Sequence, residues 1–156
     1  MGSINIRRVI LGGLLAGVVL DILGFLVDGV ILDPQWAAGL QALGKPPEPT
    51  GSQIAGFIII GLAYGILTIW LYAAIRPRYG AGPKTAVYAG LAAWAIGALL
   101  PNVAFMAVDG LFPSNLTTLT TAAAIVESVA AALAGAALYQ EAVGDVGAPK
   151  AKAARA

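Results

Sequence analysis

The chain has 156 residues, of which 59% are hydrophobic and only 11% are charged, and its mean hydropathy is +0.84. Soluble domains carry roughly 25% charged residues, so this chain has too few to cover a water-exposed surface, and we expect the lipid bilayer to be part of its solvent. The formal net charge of +1, divided among short separate segments, argues against nucleic-acid binding.

The sequence contains neither cysteine nor histidine. Cysteine nucleophiles, thiolate zinc sites, histidine-ligated haem or di-iron centres and histidine-based triads are therefore excluded. No Gly-rich phosphate loop or nucleophile elbow occurs either. We accordingly predict no catalytic activity, no cofactor and no resident metal.

Four stretches reach the roughly 20 mainly apolar residues that a membrane-spanning helix needs. They are 9–32, 54–75, 86–108 and 116–139. They predict an all-α four-helix transmembrane bundle in a single domain, 1–142, followed by a flexible cytoplasmic tail, 143–156. The fourth stretch, rich in Ala and Thr, contains Glu127 and inserts with help from its neighbours, because a central charge costs roughly 2.5 to 3.5 kcal/mol.

Basic residues predict the orientation of the bundle. Lysine and arginine concentrate in cytoplasmic segments, and here all but Lys45 fall on one side of the predicted spans. Both termini and the loop between the second and third spans are therefore predicted to be cytoplasmic. The same side carries a predicted aromatic belt of Trp70, Tyr72, Tyr79 and Tyr139.

The first loop on the opposite side predicts a short helix lying in the membrane interface. Asp33 suits the N-cap, Pro34 suits the first helical position and Gly44 suits the end. Trp36 would anchor this helix together with leucines on the same face. A plain linker is the alternative.

An internal repeat is a second organisational hypothesis. A shift of 81 residues lays Val27-Asp28-Gly29 over Val108-Asp109-Gly110 and Asp21 over Asn102. Two helical hairpins that enter from the same side would form a parallel repeat about an axis along the membrane normal. Chance convergence of apolar sequences is the alternative.

Polar residues inside the spans are the candidate site. Asp21 and Glu127 lie at the middle of their spans, Asn102 lies about 7 Å farther out, and Asp28 and Asp109 lie toward the outer boundary. Intramembrane acids usually face the bundle interior or a wet cavity, and no basic residue lies within a predicted span. The carboxyl groups therefore carry protons, share one proton, or hold a cation through oxygen ligands.

A structural role would also explain these residues. Hydrogen bonds among Asp21, Asn102 and Glu127 would join the helices, and such interhelical bonds contribute about 0.6–2 kcal/mol. Pro101, beside Asn102, predicts a kink that frees a backbone carbonyl near the polar residues. The motifs Gly13-x-x-x-Gly17 and Gly61-x-x-x-Gly65 predict close helix packing, within the bundle or between subunits.

The segment 71–86, LYAAIRPRYGAGPKTA, carries a family resemblance. With the four-span layout, it resembles a group of small bacterial inner-membrane proteins with no assigned activity. The resemblance implies a bacterial inner membrane and transfers no functional residue.

Three functions follow as hypotheses. The first is a small transporter or channel for protons or a cation, with Asp21, Glu127 and Asn102 at its centre and Asp28 and Asp109 at its outer entrance, completed by a homodimer. The second is a non-catalytic accessory or scaffold subunit of a larger membrane assembly. The third is a lipid-modifying enzyme with a divalent metal on Asp28 and Asp109. We rank it last, because a phosphate site would also need basic donors and that face has only Lys45.

Overall fold

The computed structural model describes residues 3–108 and 111–141, and these residues form helices with no strand among them. In chain order the helices are α1 (Ile6–Leu26), α2 (Asp33–Ala42), α3 (Gly51–Tyr79), α4 (Pro83–Trp94), α5 (Leu100–Ala107) and α6 (Ser114–Leu138). A π-helical turn, Val27–Ile31, extends α1, and a second, Ala95–Leu99, joins α4 to α5. Asp109 and the predicted tail, 143–156, lie outside the described residues.

Within residues 3–108 and 111–141, four helical spans are long and apolar enough to cross a membrane. They confirm the predicted all-α four-helix bundle and, by the length and composition of the helices, make the chain a multi-pass membrane protein. They are Ile6–Ile31, Gly51–Tyr79, Pro83–Ala107 and Ser114–Leu138. Three begin about three residues before the predicted spans, because polar residues cap or fill the first turn without ending the helix. We call the end that carries Arg7, Arg8, Arg76, Arg78 and Lys84 the basic end.

The connection between the second and third spans is shorter than predicted. α3 continues through Pro77 to Tyr79 and α4 begins at Pro83, so only residues 80–82 connect the two helices. Gly80 and Gly82 then adopt φ angles of +86° and +123°, which residues with a side chain rarely adopt. These two glycines end α3 and reverse the chain into α4.

The predicted interfacial helix is present as α2, but its capping prediction was wrong. Leu32 occupies the N-cap position without a side-chain cap, and Asp33 lies in the first turn. The π-helical turn keeps the chain helical up to Ile31, so only Leu32 separates it from α2. Gly44, with φ +69°, follows the helix as expected.

The interior of the bundle is rich in small residues, and many of the large apolar side chains lie on its exterior. α1 packs against α3 and α6, and α4 packs mainly against α6. Ala16, Ala86, Ala89 and Ala132 are fully buried, whereas large apolar side chains such as Phe57 cover the exterior. This distribution is typical of membrane helices, because lipid solvates the large side chains and small ones let the helices approach closely.

Two tyrosines predicted for the aromatic belt instead close the core at the basic end. Tyr72 and Tyr139 are 3% and 5% exposed, and their rings meet edge to face at 5.8 Å. Their hydroxyl oxygens accept hydrogen bonds from the backbone N–H groups of Gly82 (3.2 Å) and Asn5 (3.3 Å), respectively. Both rings therefore turn inward, while Trp70 and Tyr79 remain exposed.

The third span changes helical register at the predicted kink. The turn Ala95–Leu99 is π-helical, and the N–H of Leu100 donates to the carbonyl of Ala95. Pro101 cannot donate to the carbonyl four residues before it. The wider turn therefore lies directly before the proline, which becomes the second residue of α5.

Candidate acidic site

The candidate site is built around the interface between α1 and α3, which four glycines form. A Cβ atom on Gly65 would collide with the backbone of Gly13 and Gly17, and one on Gly17 would meet the carbonyl of Gly61 at 2.9 Å. Both predicted packing motifs thus face each other inside one chain. Because the two backbones are this close, the next side chain of α1 on the same face lies in contact with α3.

Asp21 is the residue that follows, one helical turn beyond Gly17. A Cβ atom on Gly61 would overlap the Asp21 carboxyl group, so the carboxyl group occupies the space that a larger residue on α3 would fill. Asp21 is partly exposed at this interface. It lies between the first and second spans.

Glu127 is buried, with 9% of its surface exposed, at the middle of α6. A Cβ atom on Gly24 would lie 3.8 Å from Oε2 of Glu127, which places this carboxyl group against α1. The structure therefore places Glu127 against Gly24 of the first span, and Asp21 against Gly61 of the second.

Asp28 has a specific partner in the short helix α2. The indole Nε1–H of Trp36 donates to Oδ1 of Asp28 at 3.1 Å, and the Trp36 ring meets Phe112 edge to face at 5.0 Å. Trp36 is half-buried. It connects α2 to the acidic site rather than only anchoring α2 in the interface.

Asn102 belongs to a separate contact between the third and fourth spans. Its side-chain amide donates to Oγ1 of Thr121 at 2.7 Å, and the Trp94 indole N–H donates to the carbonyl of Thr121 at 2.8 Å. Among the described residues, no hydrogen bond joins Asp21, Asn102 and Glu127 to one another. Thr121 is a structural partner that sequence reasoning missed, and the Thr-rich composition of α6 was its only signal.

Tyr64 and Ser128 are further polar residues that sequence reasoning missed. The Tyr64 side chain lies across Gly97, whose Cβ atom would meet the Tyr64 hydroxyl at 2.6 Å, and Ser128 is buried. Ser128 is adjacent to Glu127 in sequence. The absence of a side chain at Gly97, within the π-helical turn, leaves room for the tyrosine ring.

The basic residues of the spans do not neutralise these acids, because all of them lie in end turns at the basic end. The ion pair of the described residues is Arg76 with Glu141 at 3.6 Å, also at that end. Within 3–108 and 111–141, no group of three or more Asp or Glu residues is arranged to hold a metal ion. A buried carboxyl group without a basic partner must be neutralised by a proton or a cation.

The structure includes two surface grooves that no acidic residue lines. One, of about 370 Å³, lies between α3 and α4 at the basic end, and the other, of about 340 Å³, lies beside α2 at the opposite end.

Comparisons with protein-family models, curated proteins and solved structures found no match. The chemistry of these side chains is therefore the guide to function.

Proposed function

We propose that the chain is a small proton- or cation-linked transporter or channel whose central group is Glu127. The observation that carries this proposal is the burial of Glu127 at the middle of a membrane-spanning helix, against Gly24 of the first span, which also carries Asp28. The basic residues of the described spans lie at the basic end of the bundle. An ionised carboxylate in that position costs at least about 2.5 kcal/mol, so a mobile proton or cation completes the site.

The remaining polar groups define the proposed path. Asp28 lies on the side of α2 and receives the ion first, and Glu127 holds the ion at the middle. Ser128 and Tyr64 continue the path toward α3. Asp21 forms a second carboxylate on the neighbouring interface. Transfer of an ion between the Asp28 and Glu127 carboxyl groups suits transport. Repulsion between two bound ions makes the first ion easier to release when a second arrives.

Flux through proteoliposomes tests this proposal. We expect Glu127→Gln and Asp28→Asn each to lower proton flux, followed with an internal pH-sensitive dye, or sodium flux, followed with a radioactive tracer, at least tenfold. Glu48→Gln, the same chemical change at an exposed residue in the loop before α3, should leave flux unchanged. Wild-type flux from folded Glu127→Gln and Asp28→Asn variants would overturn the proposal.

A homodimer is part of this proposal, because the two surface grooves of the described chain do not reach Glu127. An accessory or scaffold subunit is the second candidate, favoured by short connections between spans, such as residues 80–82 between α3 and α4. Purification in mild detergent distinguishes the two. A pure homo-oligomer supports the transporter, and a different protein recovered in stoichiometric amount supports the accessory role.

We further propose a bacterial inner membrane, with both termini in the cytoplasm. The concentration of Arg7, Arg8, Arg76, Arg78 and Lys84 at one end supports this orientation. An alkaline phosphatase fusion after residue 156 should be inactive in a bacterial host, and a fusion within the loop at 46–49 should be active. The reverse pattern would invert the orientation.

A further inference from the structure

The groove between α3 and α4 has the lining of a binding site for an acyl chain. Leu71, Ile75 and Ala92 form its apolar walls, and Tyr79 and Tyr88 close its end. The two tyrosine rings meet edge to face at 5.5 Å. From Leu71 to Tyr79 the groove follows α3 for about 12 Å, given a rise of 1.5 Å per residue.

The groove lies on the lipid-facing side of the bundle. It opens between two membrane-spanning helices, and the neighbouring residues Leu67, Trp70 and Leu91 are exposed apolar side chains. Tyrosine side chains favour the level of the lipid headgroups, where the ring is apolar and the hydroxyl is hydrated. The tyrosine end of the groove is therefore the headgroup end.

Positive charge is placed at this same end. The Lys84 ammonium group lies 5.9 Å from the centre of the Tyr88 ring, in the first turn of α4. Arg78 is exposed in the last turn of α3, and only residues 80–82 separate the two helices. Cations beside a groove between membrane helices are the arrangement that binds acidic headgroups.

We infer that this groove binds one anionic phospholipid from the leaflet at the basic end. Its acyl chain lies along Leu71, Ile75 and Ala92, its glycerol region lies against Tyr79 and Tyr88, and its phosphate pairs with Lys84. This site is separate from the acidic site and does not depend on the proposed transport. An anionic phospholipid suits this groove, because its acyl chain matches the apolar walls and its acidic headgroup matches the positive charge at the tyrosine end.

Native mass spectrometry of the full chain, extracted from bilayers with equal amounts of phosphatidylglycerol and phosphatidylcholine, tests the site. We expect the wild type to retain phosphatidylglycerol in preference to phosphatidylcholine. Lys84→Gln should lower that preference about fivefold, the effect of one basic residue near a membrane surface, and Lys84→Arg should keep it. Arg7→Gln, which removes a charge at the same end but away from α4, should also keep it.

A second pair of variants tests the apolar part of the groove. Ala92→Phe should fill the groove and lower retention of both lipids. Ala63→Phe, which adds the same ring at another exposed position of a spanning helix, should leave retention unchanged. Each variant is compared as a single monodisperse species in gel filtration.

Three results would overturn the inference. The first is a wild type that retains both lipids equally. The second is an equal loss of preference in Lys84→Gln and Arg7→Gln, which would mean a general effect of charge. The third is a groove occupied by a second copy of the chain or another protein, seen as an assembly that carries no lipid and is dispersed by Ala92→Phe.

Discussion

The Asp21 carboxyl group on α1 occupies the space that a side chain on Gly61 of α3 would fill. The position of this intramembrane acid therefore depends on the absence of a side chain on the neighbouring helix. Asp21 is partly exposed, so the carboxyl group is held at the edge of the α1–α3 interface. The two residues should behave as a coupled pair.

A double-mutant cycle tests this coupling. We expect Gly61→Ala to destabilise the bundle by about 1–3 kcal/mol, because the added methyl group displaces the Asp21 carboxyl group. In an Asp21→Ala background the same change should cost less, with a coupling free energy of about 0.5–3 kcal/mol. Unfolding by SDS in mixed micelles measures the free energies, and an equal cost of Gly61→Ala in both backgrounds would contradict the contact.

Gly65 is expected to be the least replaceable glycine of the α1–α3 interface. A Cβ atom there would meet the backbone of Gly13 and Gly17, and backbone atoms cannot move aside as a side chain can. Gly65→Ala should therefore destabilise the bundle by about 2–3 kcal/mol in the same unfolding assay. Gly56→Ala is the matched control, because a Cβ on this glycine of the same helix has nothing within 4 Å; a comparable loss there would show that the effect is not steric.

Thr121 is expected to stabilise the contact between the third and fourth spans. Thr121→Val keeps the shape of the side chain but removes the oxygen that accepts from the Asn102 amide. The loss should be about 0.6–2 kcal/mol, the range of interhelical hydrogen bonds in membranes. Thr118→Val is the control, since the Thr118 hydroxyl donates only within its own helix, to the carbonyl of Ser114, and equal losses would argue against an interhelical role for Thr121.

The sequence was sufficient to predict the number of spans and the presence of α2, because the length of an apolar stretch decides whether a helix can cross a membrane. It also located Gly13, Gly17, Gly61 and Gly65 as packing residues. It could not predict that these glycines face one another within a single chain. That pairing depends on how two helices rotate about their axes, which a packing motif does not specify.

The distribution of the polar residues was less predictable. Depth along a helix, which the sequence supplies, placed Asp21 and Glu127 at a similar level, but their contacts depend on the neighbouring helix. The π-helical turns changed the register near Asp28 and Asn102, and no pattern in the sequence indicated them apart from Pro101. The duplication of the two hairpins stays a prediction, and Asp109, part of its support, lies outside the described residues.

Trp36 is expected to hold α2 on the bundle through its hydrogen bond to Asp28. Trp36→Phe keeps the edge-to-face contact with Phe112 but removes the N–H that donates to Asp28. A typical hydrogen bond contributes about 0.5–1.5 kcal/mol, so amide hydrogen exchange in α2 should become roughly two- to twelvefold faster. Hydrogen–deuterium exchange followed by mass spectrometry measures this rate peptide by peptide.

Two controls make this exchange experiment specific to the Trp36–Asp28 pair. Trp70→Phe makes the same substitution at an exposed position of α3 and should leave exchange in α2 unchanged. In an Asp28→Ala background, Trp36→Phe should add little, because the acceptor is already missing. Equal acceleration of exchange by Trp36→Phe with and without Asp28 would contradict the prediction. The indole would then stabilise α2 through packing alone, and Asp28 would not hold α2 through a hydrogen bond at the entrance of the proposed path.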